Sequence, residues 1–234
     1  MNEVVKISNQ MNTLGFKNFN ANEMDLFFSI CSKVREQGTG ELTFSFEQLR
    51  ELSNYKPTSN KRFVSDLIRT NTKLMNLNVN FDDGNEYVAF VLFPTFRINR
   101  EEQTLKVAVN TEFSFLLNEL TNNFARFELE QFTDLKSSYA KTMYRLLKQY
   151  KSTGFFIIQV DKFREILDIP PSYRMSEIDK KVFTPIKKEL SPLFDRFEIE
   201  KVKKKGNKIS QFKFHFMEKS KSEMIKVPLY DWTK

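Results

Sequence analysis

The sequence predicts an α+β protein made of two tandem copies of one small module, related by an internal pseudo-repeat. Three observations predict it. Helix-spaced and strand-like segments occur twice in the same order, once in residues 22–110 and again in 124–216. EQLREL (47–52) matches DKFREI (161–166) at an offset of 114, and KRFVSDLIRTNTKLMNLNV (61–79) lies over KKVFTPIKKELSPLFDRFE (180–198) at an offset of 119. The chain has 234 residues and is 40% hydrophobic, enough for two cores of about 110 residues each.

In the first copy, NEMDLFFSICSKVRE (22–36) keeps helical apolar spacing, with Asn20 or Asn22 as its cap. LTFSF (42–46) is a short strand, EQLRELS (47–53) a short helix and NYKPTS (54–59) a turn. NKRFVSDLIRTNTKLMN (60–76) is a longer helix with Phe63, Val64, Leu67, Asn71 and Leu74 inward. DDGN (82–85) marks a hairpin between β-rich runs, and NREE (99–102) starts another turn. The run EYVAFVLFPTFRI (86–98) reads as a buried central strand; unpaired on one edge, it would be a self-association surface.

In the second copy, FARFELEQF (124–132) is strand-like and DLKSSYAKTMYRLLKQYK (134–151) is a long amphipathic helix. GFFIIQV (154–160) is a strand, DKFREILDI (161–169) a short helix and PPSYRM (170–175) a turn. SEIDKKVFTPIKKEL (176–190) is the longer helix, bent at Pro185, which removes a backbone donor. Residues 195–216 form a hairpin with the lysine-rich tip KKKGNK. In the overlay at 119, Phe63, Val64, Leu67, Leu74 and Met75 meet Val182, Phe183, Ile186, Leu193 and Phe194. The extra five residues fall in the turn between the helices, where insertions are cheap.

Two helices across a short turn, then a β-hairpin, is the order of a winged helix-turn-helix. It lays its second helix in a DNA major groove while the hairpin reaches backbone phosphate. The expected division is a first winged-helix domain at 1–118, a second at 119–217 and a tail at 218–234.

The reactive-group inventory argues against an enzyme. His215 alternates with Phe214 and Phe216 in a strand, and Cys31 is the one cysteine. One His and one Cys exclude the usual zinc spacings and an intrachain disulfide. The six glycines contain no phosphate-binding loop, and Asp82/Asp83 and Glu101/Glu102 read as solvated turns. No catalytic residue, metal or cofactor is expected. No 18-residue apolar run or signal peptide is found, so no membrane partner is expected, and the cytoplasm is the natural compartment.

The formal net charge is +7, and it is one-sided. Residues 1–115 hold 13 Lys+Arg against 14 Asp+Glu; residues 116–234 hold 24 against 16. A one-sided basic excess suggests a polyanion. On the helix 176–190, Lys180, Lys181, Thr184, Lys187 and Lys188 lie off the apolar stripe. Ser172, Tyr173, Arg174 and Ser176 stand where a recognition helix meets the groove, and Lys203, Lys204, Lys205 and Lys208 crown the neighbouring hairpin. Arg174 and Thr184 are the better candidates for base edges. The first copy offers Lys56, Thr58, Ser59, Asn60, Lys61, Arg62 and Arg69, but its hairpin, taken as DDGNE, is acidic.

Leu135, Ser137, Tyr139, Ala140, Tyr144, Leu146, Leu147 and Lys148 fall in the order of a family motif. So do Phe163, Arg164, Leu167, Tyr173, Lys181, Val182, Phe183 and Pro185. On these residues the chain resembles the plasmid replication initiators, which open theta-type origins by binding iterons. The resemblance spans about residues 20–217 and is most specific over 132–190. It implies two winged-helix domains, binding to directly repeated double-stranded origin DNA, and loading of host initiator and helicase proteins. It also implies that monomers initiate and dimers repress, with the dimer surface in the first module and base reading by the helix after Tyr173. The alternative is a dimeric winged-helix transcriptional regulator without initiator activity, which would bind a palindrome.

Overall fold

The computed structural model describes residues 3–219 apart from 13, 38–39, 78, 83, 119–123 and 205–207. The chain opens with β1 (Val4–Ser8) and α1 (Asn9–Asn12), then α2 (Ala21–Gln37). Asn20 and Glu23 cap α2 reciprocally: the Asn20 carboxamide accepts the Glu23 N–H at 3.0 Å, and the Glu23 carboxylate accepts the Asn20 N–H at 2.8 Å. β2 (Leu42–Ser45), α3 (Phe46–Leu52) and α4 (Asn60–Met75) follow, then β3 (Val79–Asp82), β4 (Tyr87–Phe90), β5 (Thr95–Asn99), β6 (Thr104–Ala108) and α5 (Thr111–Asn118).

β7 (Phe124–Glu128), α6 (Leu129–Asp134) and α7 (Ser138–Gln149) lead into the second copy. It comprises β8 (Phe155–Gln159), α8 (Val160–Ile166), α9 (Met175–Ile178), a π-helical turn (Asp179–Phe183), α10 (Thr184–Leu190), β9 (Phe194–Lys203) and β10 (Ile209–Glu218). The strand expected over 124–132 ends at Glu128, and Leu129, Phe132 and Thr133 are buried on a short helix instead. The long helix expected over 134–151 is α7, which starts where the Ser137 hydroxyl accepts the Ala140 N–H.

Each copy builds a three-stranded antiparallel sheet of one design, β2-β6-β5 and β8-β10-β9. The pseudo-repeat extends to single backbone bonds. The N–H of Tyr55 donates to the Arg50 carbonyl at 2.9 Å, and that of Ile169 to the Arg164 carbonyl at 2.9 Å. The preceding residues, Asn54 and Asp168, both take the left-handed conformation, at φ 51° and 52°. The offset of 114 therefore holds through the turn.

The offset of 119 beyond it does not hold. The two helices start at Asn60 and Met175, because the second turn is only one residue longer. Buried Phe63, Leu67, Thr70 and Leu74 then correspond to Ile178, Val182, Ile186 and Leu190. The offset is 115 through Val182 and 116 from Ile186, since the π-turn (Asp179–Phe183) admits one extra residue. Leu193 and Phe194, which the sequence overlay set against Leu74 and Met75, lie beyond the helix, and Phe194 opens β9.

The first hairpin also differs from expectation. Among the described residues, β3 and β4, on either side of residues 83–86, pair only with each other. The hairpin that pairs with β2 is β5–β6, turning at Arg100–Gln103, and this is the first wing. The run EYVAFVLFPTFRI is thus no central strand. It breaks at buried Leu92 and Phe93 before Pro94, and Tyr87 on β4 is 62% exposed.

α7 lies between the two copies. β1 pairs antiparallel with β7 (Val5↔Phe127), so strands on either side of residues 118/119 share one sheet. Lys141 of α7 is wholly buried and donates to the Asp25 carboxylate of α2 at 2.6 Å and to the Phe132 carbonyl at 2.6 Å. Arg145, also wholly buried, stacks over the rings of Phe16 and Phe28 at 4.7 and 5.1 Å. Its three guanidinium nitrogens have no hydrogen-bond partner among the described residues, and burial lowers its pKa to about 9. The ring faces replace part of the lost hydration.

The Asp168 carboxylate accepts the Asn18 N–H at 2.7 Å, tying the first copy to the second helix-turn-helix. Asp168→Ala is expected to lower the unfolding free energy by about 1.5–3 kcal/mol, from the lost charged acceptor and because alanine tolerates the left-handed conformation less well than aspartate does. Asp168→Gly should recover about 1 kcal/mol of that loss. Urea melts of the two variants check both.

Candidate nucleic-acid interface

The second helix-turn-helix is held by Arg164 of α8. Its guanidinium donates to the Tyr173 carbonyl at 2.6 Å and to the Pro170 carbonyl at 3.5 Å, closing the turn on the next helix. Arg50 does the same in the first copy, donating to the Pro57 carbonyl at 2.5 Å and to the Asn60 side chain at 2.9 Å. This equivalence is what the matched EQLREL and DKFREI segments encode.

Ile178, Val182, Phe183, Ile186 and Leu190 bury one side of the second helix. Ser176, Lys180, Thr184, Lys187 and Lys188 are exposed on the other. Lys180, Lys187 and Lys188 have no ion-pair partner among the described residues. Lys181 is committed: it pairs with Glu177 at 2.9 Å and lies 4.3 Å from the centre of the Tyr173 ring. The hydrogen bond between them raises the Lys181 pKa and lowers that of Glu177. Glu177 also accepts the Arg174 N–H at 3.1 Å, which caps α9 and leaves the Arg174 side chain outward. Ser172 is exposed and Tyr173 half-buried.

The bend expected at Pro185 takes the form of the π-turn just before it. The Thr184 N–H reaches back to the Asp179 carbonyl, which the Thr184 hydroxyl also meets at 3.0 Å. Pro185, with no N–H of its own, then starts α10 without leaving a donor stranded.

β9 and β10 form the second wing. Lys203, Lys204 and Lys208 are exposed beside its tip, whereas Lys205 lies outside the described residues. A cleft of about 320 Å³ separates helix from wing, lined by Asp179, Phe183, Thr184, Lys187, Ile199 and Lys201.

The first copy repeats the layout with weaker charge. Lys56, Thr58, Ser59, Lys61 and Arg62 are exposed around the start of α4, and the Ser59 hydroxyl caps it by accepting the Arg62 N–H. Asn60 is engaged: besides accepting from Arg50, it donates to the Gln103 side chain of the wing at 3.1 Å. Arg69 is spent inside the copy, donating to Glu23 at 2.6 Å and Asp66 at 2.5 Å. Glu23 has a wholly buried side chain and holds Lys73 as well, at 2.6 Å. The true wing adds two exposed cations that the DDGNE reading missed, Arg97 and Arg100. Arg100 lines a cleft of about 420 Å³ with Phe46, Asn60, Lys61, Val64, Ser65 and Ile68.

His215 meets Glu200 at 3.3 Å on the strand surface, and Cys31 is buried in α2. No group of three His, Cys, Asp or Glu among the described residues could hold a metal.

Residues 4–148 match the family model described as "Initiator Replication protein, WH1", and residues 159–216 match "Initiator Rep protein, WH2". The chain belongs to the initiator replication protein family. It is also 42% identical over 218 residues to a "Probable replication protein rep" of Bifidobacterium longum (strain NCC 2705), covering 92% of this chain and 73% of that protein. Among solved structures, the fold is similar to the "Crystal structure of Pi initiator protein in complex with iteron DNA", with a TM-score of 0.74 at 15% identity over 93% of this chain and 98% of that one. The WH2 match of this initiator contains the whole second helix-turn-helix and nearly all of its wing. The WH1 match contains the first and continues through α7. The two winged-helix units predicted from the sequence are therefore those of an initiator.

Proposed function

We propose that this initiator binds directly repeated duplex DNA at a plasmid origin and reads it mainly with the helix 175–190 and the β9–β10 wing. The observation that carries this is the exposed lysine stripe Lys180, Lys187 and Lys188, without ion-pair partners among the described residues, on a helix whose other side is buried and whose wing presents Lys203, Lys204 and Lys208. Phosphate contacts by such lysines position the helix, and Arg174 and Thr184 address base edges. The first unit adds a secondary contact through Lys56, Thr58, Ser59, Lys61 and Arg62, joined by Arg97 and Arg100. The Pi initiator's complex with iteron DNA supports the choice of repeated origin DNA as ligand.

In this reading the first unit (1–118) also carries self-association. The β3–β4 hairpin supports that role, since its strands stand apart from the β2-β6-β5 sheet among the described residues and Tyr87 is exposed. The bound protein then recruits host initiator and helicase in the cytoplasm, a role that requires no catalysis and no cofactor. No helix among the described residues is long and apolar enough to cross a membrane.

A fluorescence titration at ~100 mM salt tests the proposal. Origin repeats should bind at least about 10³-fold more tightly than random duplex of equal length. Equal affinities would refute sequence-specific recognition. A footprint over a palindrome, with none over direct repeats, would favour a dimeric regulator instead.

A further inference from the structure

Asp179 is a carboxylate beside Lys180, Thr184 and Lys187 on the basic helix. It opens the π-turn of the recognition helix, and its side chain crosses the cleft to Lys201 on β9, with Nζ 2.5 and 2.6 Å from the two carboxylate oxygens. Lys201 is thereby drawn inward over the Phe183 ring, 6.0 Å from its centre. Both partners remain partly exposed, Asp179 at 45% and Lys201 at 31% of the side chain. The pair is a clamp between helix and wing on the surface that faces DNA.

The first unit lacks this clamp. With the offset of 115, Val64 stands where Asp179 does, and its wing is tied to α4 by the neutral Asn60–Gln103 hydrogen bond. The charged tie therefore belongs to the unit with the stronger basic surface.

We propose that Asp179 is a specificity-determining positioning residue: it withholds Lys201 from phosphate and fixes the spacing of helix and wing. This rests on the DNA-binding reading above. Non-specific binding comes almost wholly from cations on phosphate, so masking one cation weakens random binding. Specific binding depends on helix and wing entering the grooves together, which a set spacing favours. Discrimination then rises by suppressing the wrong complex.

The test titrates the full chain with origin-repeat duplex and random duplex across a salt series. Asp179→Asn should bind random duplex roughly five- to tenfold more tightly at ~0.1 M salt, with the log–log salt slope steeper by about 0.9, the effect of one freed phosphate contact. Its origin-to-random ratio should fall by a similar factor. Asp179→Asn/Lys201→Gln should return the slope to that of the wild type, because no freed cation remains. An unchanged slope and ratio in Asp179→Asn, or a steeper slope that persists in the double variant, overturns the assignment. If the wild-type chain itself shows no origin preference, the DNA-recognition reading fails first and this inference with it. The pair is solvent-exposed, so thermal midpoints should stay close to wild type and separate these outcomes from misfolding.

Discussion

Changing Lys180, Lys187 and Lys188 together to glutamine is expected to weaken binding to origin repeats by about two to three orders of magnitude at ~0.1 M salt. The estimate follows from counterion release. Each lost phosphate contact flattens the log–log salt slope by about 0.9, so three flatten it by about 2.7. The three side chains are exposed and have no ion-pair partner among the described residues, so their charge is available to a ligand. Glutamine has nearly the helix propensity of lysine, and Ile178, Val182, Ile186 and Leu190 still anchor the helix. The thermal midpoint should therefore move little while binding collapses. Lys181→Gln is the contrasting variant: its ammonium already faces Glu177, so it should change the slope far less. A triple variant with wild-type slope would remove this face from the interface.

The second large effect lies away from the basic face, at the buried Asp25–Lys141 pair joining α2 to α7. Burial raises the Asp25 pKa from 3.8 to about 7, against the pull of the Lys141 ammonium. Burial likewise lowers the Lys141 pKa, with Asp25 opposing. A carboxyl whose folded pKa lies above its unfolded value contributes stability that is present below about pH 4 and lost as pH rises through about 7. Wild-type unfolding free energy should accordingly decline across that window.

Lys141→Met removes the cation and leaves Asp25 to be buried ionised or to hold a proton to still higher pH. At pH 8 the expected loss is about 3–5 kcal/mol, the usual result of stranding one partner of a buried pair. At pH 5 Asp25 is already protonated in the folded chain, so the loss should be smaller by about 1.4 kcal/mol, the linkage over the one pH unit between the wild-type Asp25 pKa of about 7 and pH 8. Urea denaturation at the two pH values measures the difference. Asp25→Leu/Lys141→Met, which replaces both charges with apolar groups, should recover most of the stability at pH 8. A pH-independent loss in Lys141→Met would show that the pair does not titrate as inferred.

Most of the basic surface was legible because it is local. The apolar stripe of 176–190, the lysines opposite it, the turn before Tyr173 and the basic hairpin tip are all set by residues within a few positions of one another. What escaped was set by distant partners. The Asp179–Lys201 pair leaves no sign in the sequence, since nothing near either residue signals that a helix carboxylate will meet a strand ammonium 22 residues away. Arg69 looked like a surface cation until Glu23, 46 residues earlier, claimed it. Arg97 and Arg100 stay hidden in the sequence because DDGN is the stronger hairpin signal.

By itself, then, the sequence determined two copies of a winged helix-turn-helix, the helix that carries the basic face, and the kinship with replication initiators. Helical periodicity and turn chemistry act over a few residues and survive without tertiary context. The tertiary structure alone decided which hairpin is the first wing, because both are good hairpins and only β5–β6 offers β2 a partner in register. It alone decided the true overlay of the two long helices, because a π-turn shifts the count by one without altering the apolar pattern. It alone joined β1 to β7 and Asp25 to Lys141, since such pairings are chosen by the packing of a whole core and leave no mark on the short segments that make them.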